Sequence, residues 1–207
     1  MRRWTLIVIV IALLALGGYF GVPVVVDIVV RGKRLTSTEL DGNRTIPDDP
    51  EMLAEEASAV VGQSVSVDEY GLARMVRSEE GHADDFVKRC LAQTACNDAA
   101  RHGWSVLRVL TVSSVPSRSG FFGEQTSRRY STRLDPFDSD LVVARQALAD
   151  HAAGNDDSRG AEKFVNKWSF TGSTTYEGTV ASWAKDGLEP FTIDGVPSHI
   201  VFFKRAA

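Results

Sequence analysis

Apolar residues in this chain change their rhythm from one region to the next. From residue 5 to residue 26 they run almost unbroken, and no charged side chain occurs over those 22 positions. As a helix rising 1.5 Å per residue, such a run is long enough for a bilayer core of about 30 Å. Arg2 and Arg3 precede it, and Asp27, Arg31, Lys33 and Arg34 follow. A secretory signal has a shorter apolar core. Ala15-Leu16-Gly17 offers a small-residue cleavage site, which keeps cleavage as the alternative, but the apolar run continues well past it. Residues 1–34 therefore read as an N-terminal transmembrane anchor. Basic flanks on both sides leave its orientation undecided. Residues 35–48 are polar and turn-rich with no apolar period, and read as a linker.

A helical rhythm begins at residue 49. Pro50 follows two aspartates and opens a helix with Leu53, Ala57, Val60 and Val61 on one face, closed by Gly62. Ser66 or Asp68 caps a second helix, about residues 69–80, which Gly81 ends. Asp84 or Asp85 starts a third, running to His102 with Gly103 behind it, and Ser105 caps a short fourth. Residues 112–134 are irregular and rich in Ser, Gly and Arg, a length that points to function. Asp138 or Ser139 caps a helix through Ala153, with Leu141, Ala144, Arg145 and Leu148 in phase. The remainder is loop-rich until residues 200–203, which read as a short terminal strand. No internal repeat appears. The expectation is a mainly α, α+β single domain over residues 49–207 with a minor β element.

Composition narrows the partners. The formal charge of −4 and pI near 5.6 argue against nucleic acid or an anionic membrane surface. The basic cluster Arg128, Arg129 and Arg133 reads as solvated surface. Cys90 and Cys96 lie six apart in one helix, on different faces and about 9 Å apart along its axis, too far to bridge. Both read as core residues.

Within the second helix, one acid is out of place. Glu79 falls in line with Val76, Met75 and Leu72, the stripe that should face the core, while Glu80 beside it holds the solvated side. Desolvation and the negative end of the helix dipole both disfavour the ionised form of Glu79 and raise its pKa. A carboxylic acid kept protonated near neutral pH is what cleavage of a glycosidic bond needs, to protonate the leaving oxygen. The bland alternative is a Glu at a fraying helix end that reaches solvent or pairs with Arg74 or Arg77.

Other motifs weigh less. Glu79-x-x-His82 is half of a di-iron pattern, but no other histidine has a glutamate three residues before it, so no metal is expected. Ser182-x-x-Lys185 lacks the companion motifs of serine acyl-enzymes, and Trp183 points to packing there. In the irregular segment Gln125, Ser131 and Thr132 supply neutral donors and acceptors and Tyr130 a stacking face, the mix that grips amide-bearing sugars.

These residues also carry a resemblance. "YGLARMVRSEEG" followed by "VKRCLAQTACNDAARHGWSV" resembles the opening of the SleB-type cell-wall hydrolase family, with its Ala-Arg-x-apolar-x-Ala/Ser-Glu helix and a following small-residue helix. "DDSRGAEKF" at residues 156–164 is similar to the family's Asp-Pro-Thr-Gly-Gly-Ala-x-x-Phe, and "FTIDGVPSHIVFF" to its closing Ile-Gly-x-His-x-Phe strand. The likeness spans roughly residues 70–204, with the elements in order. The second acid of the family's first motif is missing, and Arg159 stands in place of a glycine in the later one.

The resemblance implies a lysozyme-like fold acting on the N-acetylmuramic acid–N-acetylglucosamine bond of peptidoglycan, generally as a lytic transglycosylase without cofactor. Glu79 takes the place of its catalytic acid and Asn97 that of a helix-end asparagine. The substrate also orients the anchor, with the domain on the outer side of an inner membrane. A hydrolase would want a second acid, for which Asp135, Asp138 and Glu124 are the candidates. A glycan-binding or scaffolding domain that has lost the chemistry is the alternative.

Overall fold

The computed structural model describes residues 49–112, 130–169 and 175–206. The expected anchor (1–34) and linker (35–48) lie outside them, as do Glu124 and Gln125. Among the described residues no helix is long and apolar enough to cross a membrane.

Among the described residues five helices come first: α1 (Pro50–Val61), α2 (Val67–Glu80), α3 (Asp85–His102), the short α4 (Val106–Thr111) and α5 (Asp138–Ala152). Strand β1 (Lys163–Asn166), a 3-10 turn (Lys167–Ser169), helix α6 (Tyr176–Lys185), and strands β2 (Leu188–Phe191) and β3 (Ile200–Arg205) follow. The domain is mainly helical with one small sheet.

Local chemistry sets the helix ends. Asp49 caps α1 through the amides of Glu51 and Met52, and Gly62 closes it at φ 71, a conformation that suits glycine. Ser66 and Glu69 form a reciprocal capping box at the start of α2. Asp84 caps α3, and Gly103 ends it at φ 63. Helix α5 differs from expectation, because its cap position is Phe137. The side chain of Asp140 reaches back to the Phe137 amide, 3.0 Å, and its other oxygen takes the Lys88 ammonium at 2.7 Å. One buried carboxylate thus caps α5 and ties it to α3.

Helix α2 is the axis of the domain. It packs against α1, α3, α4 and α5, and every residue from Tyr70 to Val76 is buried. The expected single stripe is therefore only part of its buried surface, because neighbours surround its first two turns. Cys90 and Cys96 are free and buried in α3, as their spacing predicts.

The sheet corrects the expectation of a loop-rich C-terminal third. Strand β3 lies in the middle, antiparallel to both β1 and β2. Ile200 and Phe202 face the helical core with Phe164 and Phe191, while Val201 and Phe203 face Val165, Leu188 and the Tyr176, Val180 and Trp183 side of α6. Alternate side chains of a strand point to opposite faces. The continuous run Ile200-Val201-Phe202-Phe203 is apolar because both faces are covered. Trp183 meets Phe203 edge to face at 4.8 Å, so the Ser182-x-x-Lys185 stretch belongs to a packing helix.

Candidate active site

The last turn of α2 presents two adjacent carboxylates in different directions. Glu79 turns toward residues 130–135, which run alongside the helix. Its Oε1 accepts the Ser131 amide at 2.5 Å. One residue earlier, Ser78 Oγ accepts the Leu134 amide at 2.8 Å. Arg74 completes the seam: Nε donates to the Thr132 carbonyl at 2.9 Å, a terminal nitrogen meets Asp135 at 2.8 Å, and the other reaches the Arg133 carbonyl at 3.4 Å. Spacing of four along α2 puts Arg74 and Ser78 on one side. That side holds the segment to the acid.

Glu79 is half-buried. Burial is the largest influence on its carboxyl, and it disfavours the charge. The Ser131 amide works the other way, and the nearby Glu80 carboxylate adds to the rise. Together they push the Glu79 pKa up to about 7. Ordinary carboxyls are almost wholly ionised at neutral pH; this one is about half protonated there.

Glu80 departs from expectation, since it is not on a solvated side. Its Oε1 accepts a 2.7 Å hydrogen bond from Asn166 Nδ2 at the end of β1, and His199 Nε2 stands 3.6 Å away. The helix therefore ends wedged between the 130–135 segment and the sheet, one acid facing each. Gly81 follows at φ −58 rather than in a left-handed conformation. Its requirement is space: a Cβ there would lie 2.5 Å from the Arg77 carbonyl oxygen.

No protein-family model, curated protein or solved structure matches this chain. The chemistry of the site rests on the side chains themselves. Ser131 lies against Glu79, but through its backbone. Tyr130 was expected as an exposed stacking face; it is instead 5% exposed, its ring 5.8 Å from Phe164 and its hydroxyl 3.3 Å from Asp98. Thr132 is fully buried, and its carbonyl is the acceptor of Arg74. Both residues anchor the segment rather than line a surface, because a strap pressed on a helix must bury alternate side chains.

Asn97 is likewise spoken for. Its Nδ2 lies 3.0 Å from each of Asp156 Oδ2, Ser158 Oγ and the Ala161 carbonyl, and its Oδ1 meets His151. It holds the 156–161 turn, and α3 runs five residues beyond it. In that turn burial works to raise the Asp156 pKa, but hydrogen bonds from Ser158, Asn97 and Gly160 outweigh it and hold the carboxyl below its usual range. Asp135, a candidate second acid, is consumed by the buried ion pair with Arg74.

Sequence reasoning missed Asn166 and Trp168 as site residues, and His199 entered only within the terminal-strand motif. The signal for Asn166 and Trp168 lay in "VNKW", polar and aromatic residues across the end of an unrecognised strand. A cavity of about 250 Å³ opens elsewhere, lined by Asp98, Arg101, His102, Glu162 and neighbours, without Glu79. Its charges pair among themselves: Glu162 takes both Arg101 and Arg205, and Asp98 takes His102.

The placement of Tyr130 changes what its substitution should do. Tyr130→Ala empties a buried ring site and should cost about 3–5 kcal/mol of stability. Tyr130→Phe loses the hydroxyl with its contact to Asp98 and should cost about 1 kcal/mol. Denaturant titration of the two variants checks the ordering; equal, small losses would put the ring back in solvent.

Proposed function

We propose that this protein is a membrane-anchored, peptidoglycan-cleaving enzyme of lysozyme-like fold, with Glu79 as its general acid. The observation that carries the reading is a half-buried carboxyl at a helix end, with a pKa near 7, still reached by solvent. A general acid works best when its pKa lies near the working pH. The ordered resemblance to SleB-type hydrolases supports the substrate. So does a detail of the 156–161 turn: Arg159 adopts a left-handed φ of 55 where the family motif carries glycine.

In this mechanism Glu79 donates its proton to the glycosidic oxygen as C1 of the muramoyl unit gains oxocarbenium character. The carboxylate left behind then takes the proton of the muramoyl C6 hydroxyl, and that oxygen closes on C1 to give a 1,6-anhydro ring. Bond cleavage and ring closure balance without water. The substrate's 2-acetamido group supplies the nucleophilic help that a second carboxylate gives in other glycosidases. Engagement of Asp135 by Arg74 and of Glu80 by Asn166 favours the single-acid course over hydrolysis. A domain held at an inner membrane by residues 1–34, facing outward, would meet this substrate.

Product chemistry tests the mechanism. Mass spectrometry of digested sacculi should find fragments ending in 1,6-anhydro-muramic acid, lighter than hydrolytic ones by one water. Reducing muramic acid as the main product would require a second acid that positions water. No release at all in a sacculus assay would leave a glycan-binding domain without chemistry.

A further inference from the structure

Trp168 combines two properties that rarely go together: it is 76% exposed, yet it is fixed in place. Its indole lies flat on the His199 imidazole, with ring centroids 3.8 Å apart and planes 13° from parallel. His199 Nε2 faces Glu80 Oε1 at 3.6 Å, and the same oxygen takes the Asn166 amide at 2.7 Å. Asn166 Oδ1 in turn accepts the backbone N–H of Trp168 at 2.9 Å. Four residues from α2, β1, the 3-10 turn and the approach to β3 thus close a circuit around one ring.

With one face covered by His199, exposure of this extent leaves the opposite indole face open to water. An exposed indole forgoes the gain of burial, so rigid support for it in that state calls for a partner outside the chain. The surroundings define that partner. Its partners Asn166 and His199 are polar, and so are the chain neighbours Lys167 and Ser198, both exposed. A lipid- or protein-docking surface needs a contiguous apolar patch, and among the described residues Trp168 is a single exposed ring beside polar groups. A pyranose matches it: one face presents C–H groups to the π surface, while hydroxyls at its rim meet polar side chains.

The position fits as well. Glu80, which anchors the circuit, directly follows Glu79 at the end of α2, its carboxylate turned to the sheet while that of Glu79 faces the 130–135 segment. We propose that the open face of Trp168 is a stacking platform for a sugar ring of the glycan next to the bond that Glu79 cleaves, and that Glu80, Asn166 and His199 are positioning residues for it. This rests on the glycan reading of the site. Rigid support keeps the ordering loss on binding small.

The test uses the full-length chain in detergent, in a Glu79→Gln background that binds without cleaving. Chitotetraose and purified sacculi serve as probes, with affinity from calorimetry and pelleting. Trp168→Ala should weaken both by about tenfold, Trp168→Phe should keep most of the affinity, and neither should move Tm. In the cleaving protein, Trp168→Ala should raise the apparent KM with kcat little changed. Binding within twofold of the parent for Trp168→Ala, or no binding of either probe by the parent, overturns the platform. Trp168-dependent binding by a protein that releases nothing from sacculi would sink the enzyme reading and leave the platform standing.

Discussion

Glu79→Gln should abolish release of soluble fragments from sacculi, by roughly a thousandfold or more, while the protein stays folded. The amide keeps the shape of the side chain and its carbonyl oxygen still accepts the Ser131 N–H. It has no proton to give. Undiminished release would remove Glu79 from the mechanism. The same variant carries a second signature, in stability against pH. A carboxyl whose pKa is raised on folding, here from 4.5 to about 7, binds its proton more tightly in the folded state. Its contribution to stability is fully present below pH 4.5, declines between, and is lost above pH 7. Glutamine does not titrate. Relative to the parent, Glu79→Gln should therefore gain stability as pH rises from 5 to 8, by on the order of 2 kcal/mol after allowance for partial exposure. Thermal melts across that window check the sign. In the active protein, rate should fall as pH climbs past about 7, because the proton donor empties.

Arg74→Met should be among the most damaging single changes to stability in the site, costing about 3–5 kcal/mol. Arg74 is 2% exposed. Its removal strands the nearly buried Asp135 carboxylate and leaves the carbonyls of Thr132 and Arg133 short of a donor. Lysine cannot replace the fork, since one ammonium cannot serve carboxylate and carbonyls at those angles. Adding Asp135→Asn to Arg74→Met should recover part of the loss, because the uncompensated charge is gone. Chemical denaturation of both variants gives the comparison. A single mutant within about 1 kcal/mol of the parent would mean the pair is solvated and the 130–135 segment is held by something else.

Local signals read well from the sequence, and long-range ones did not. The ends of α1 and α3 followed from Asp49, Gly62, Asp84 and Gly103, since caps act within a turn of the chain. The half-burial of Glu79 was legible from its register with Leu72, Met75 and Val76. What covers it was not, because Ser131 lies 52 residues away. The same distance hid the burial of Tyr130 and Thr132, whose polar and aromatic character fits an exposed sugar-binding loop equally well. Strands β1 and β2 escaped notice for another reason. At four residues each they are too short for a period to stand out, and only pairing with β3 makes them strands. Asn97 misled because a satisfied buried amide and a ligand-binding amide look alike in one dimension.

The central place of β3 has a consequence for the order of assembly. Helices α1 to α5 can gather around α2 from contacts made largely among residues 49–152, but β1 and β2 have no partner until residues 200–205 enter between them. Closing that distance is the slow, entropically opposed step of such a topology. His199 arrives with β3, and with it the backing of Trp168 and one neighbour of Glu80. A nascent chain could thus hold a formed helical half with its acid in place while the other half of the site is still missing. Competence would be switched on by the last strand to dock.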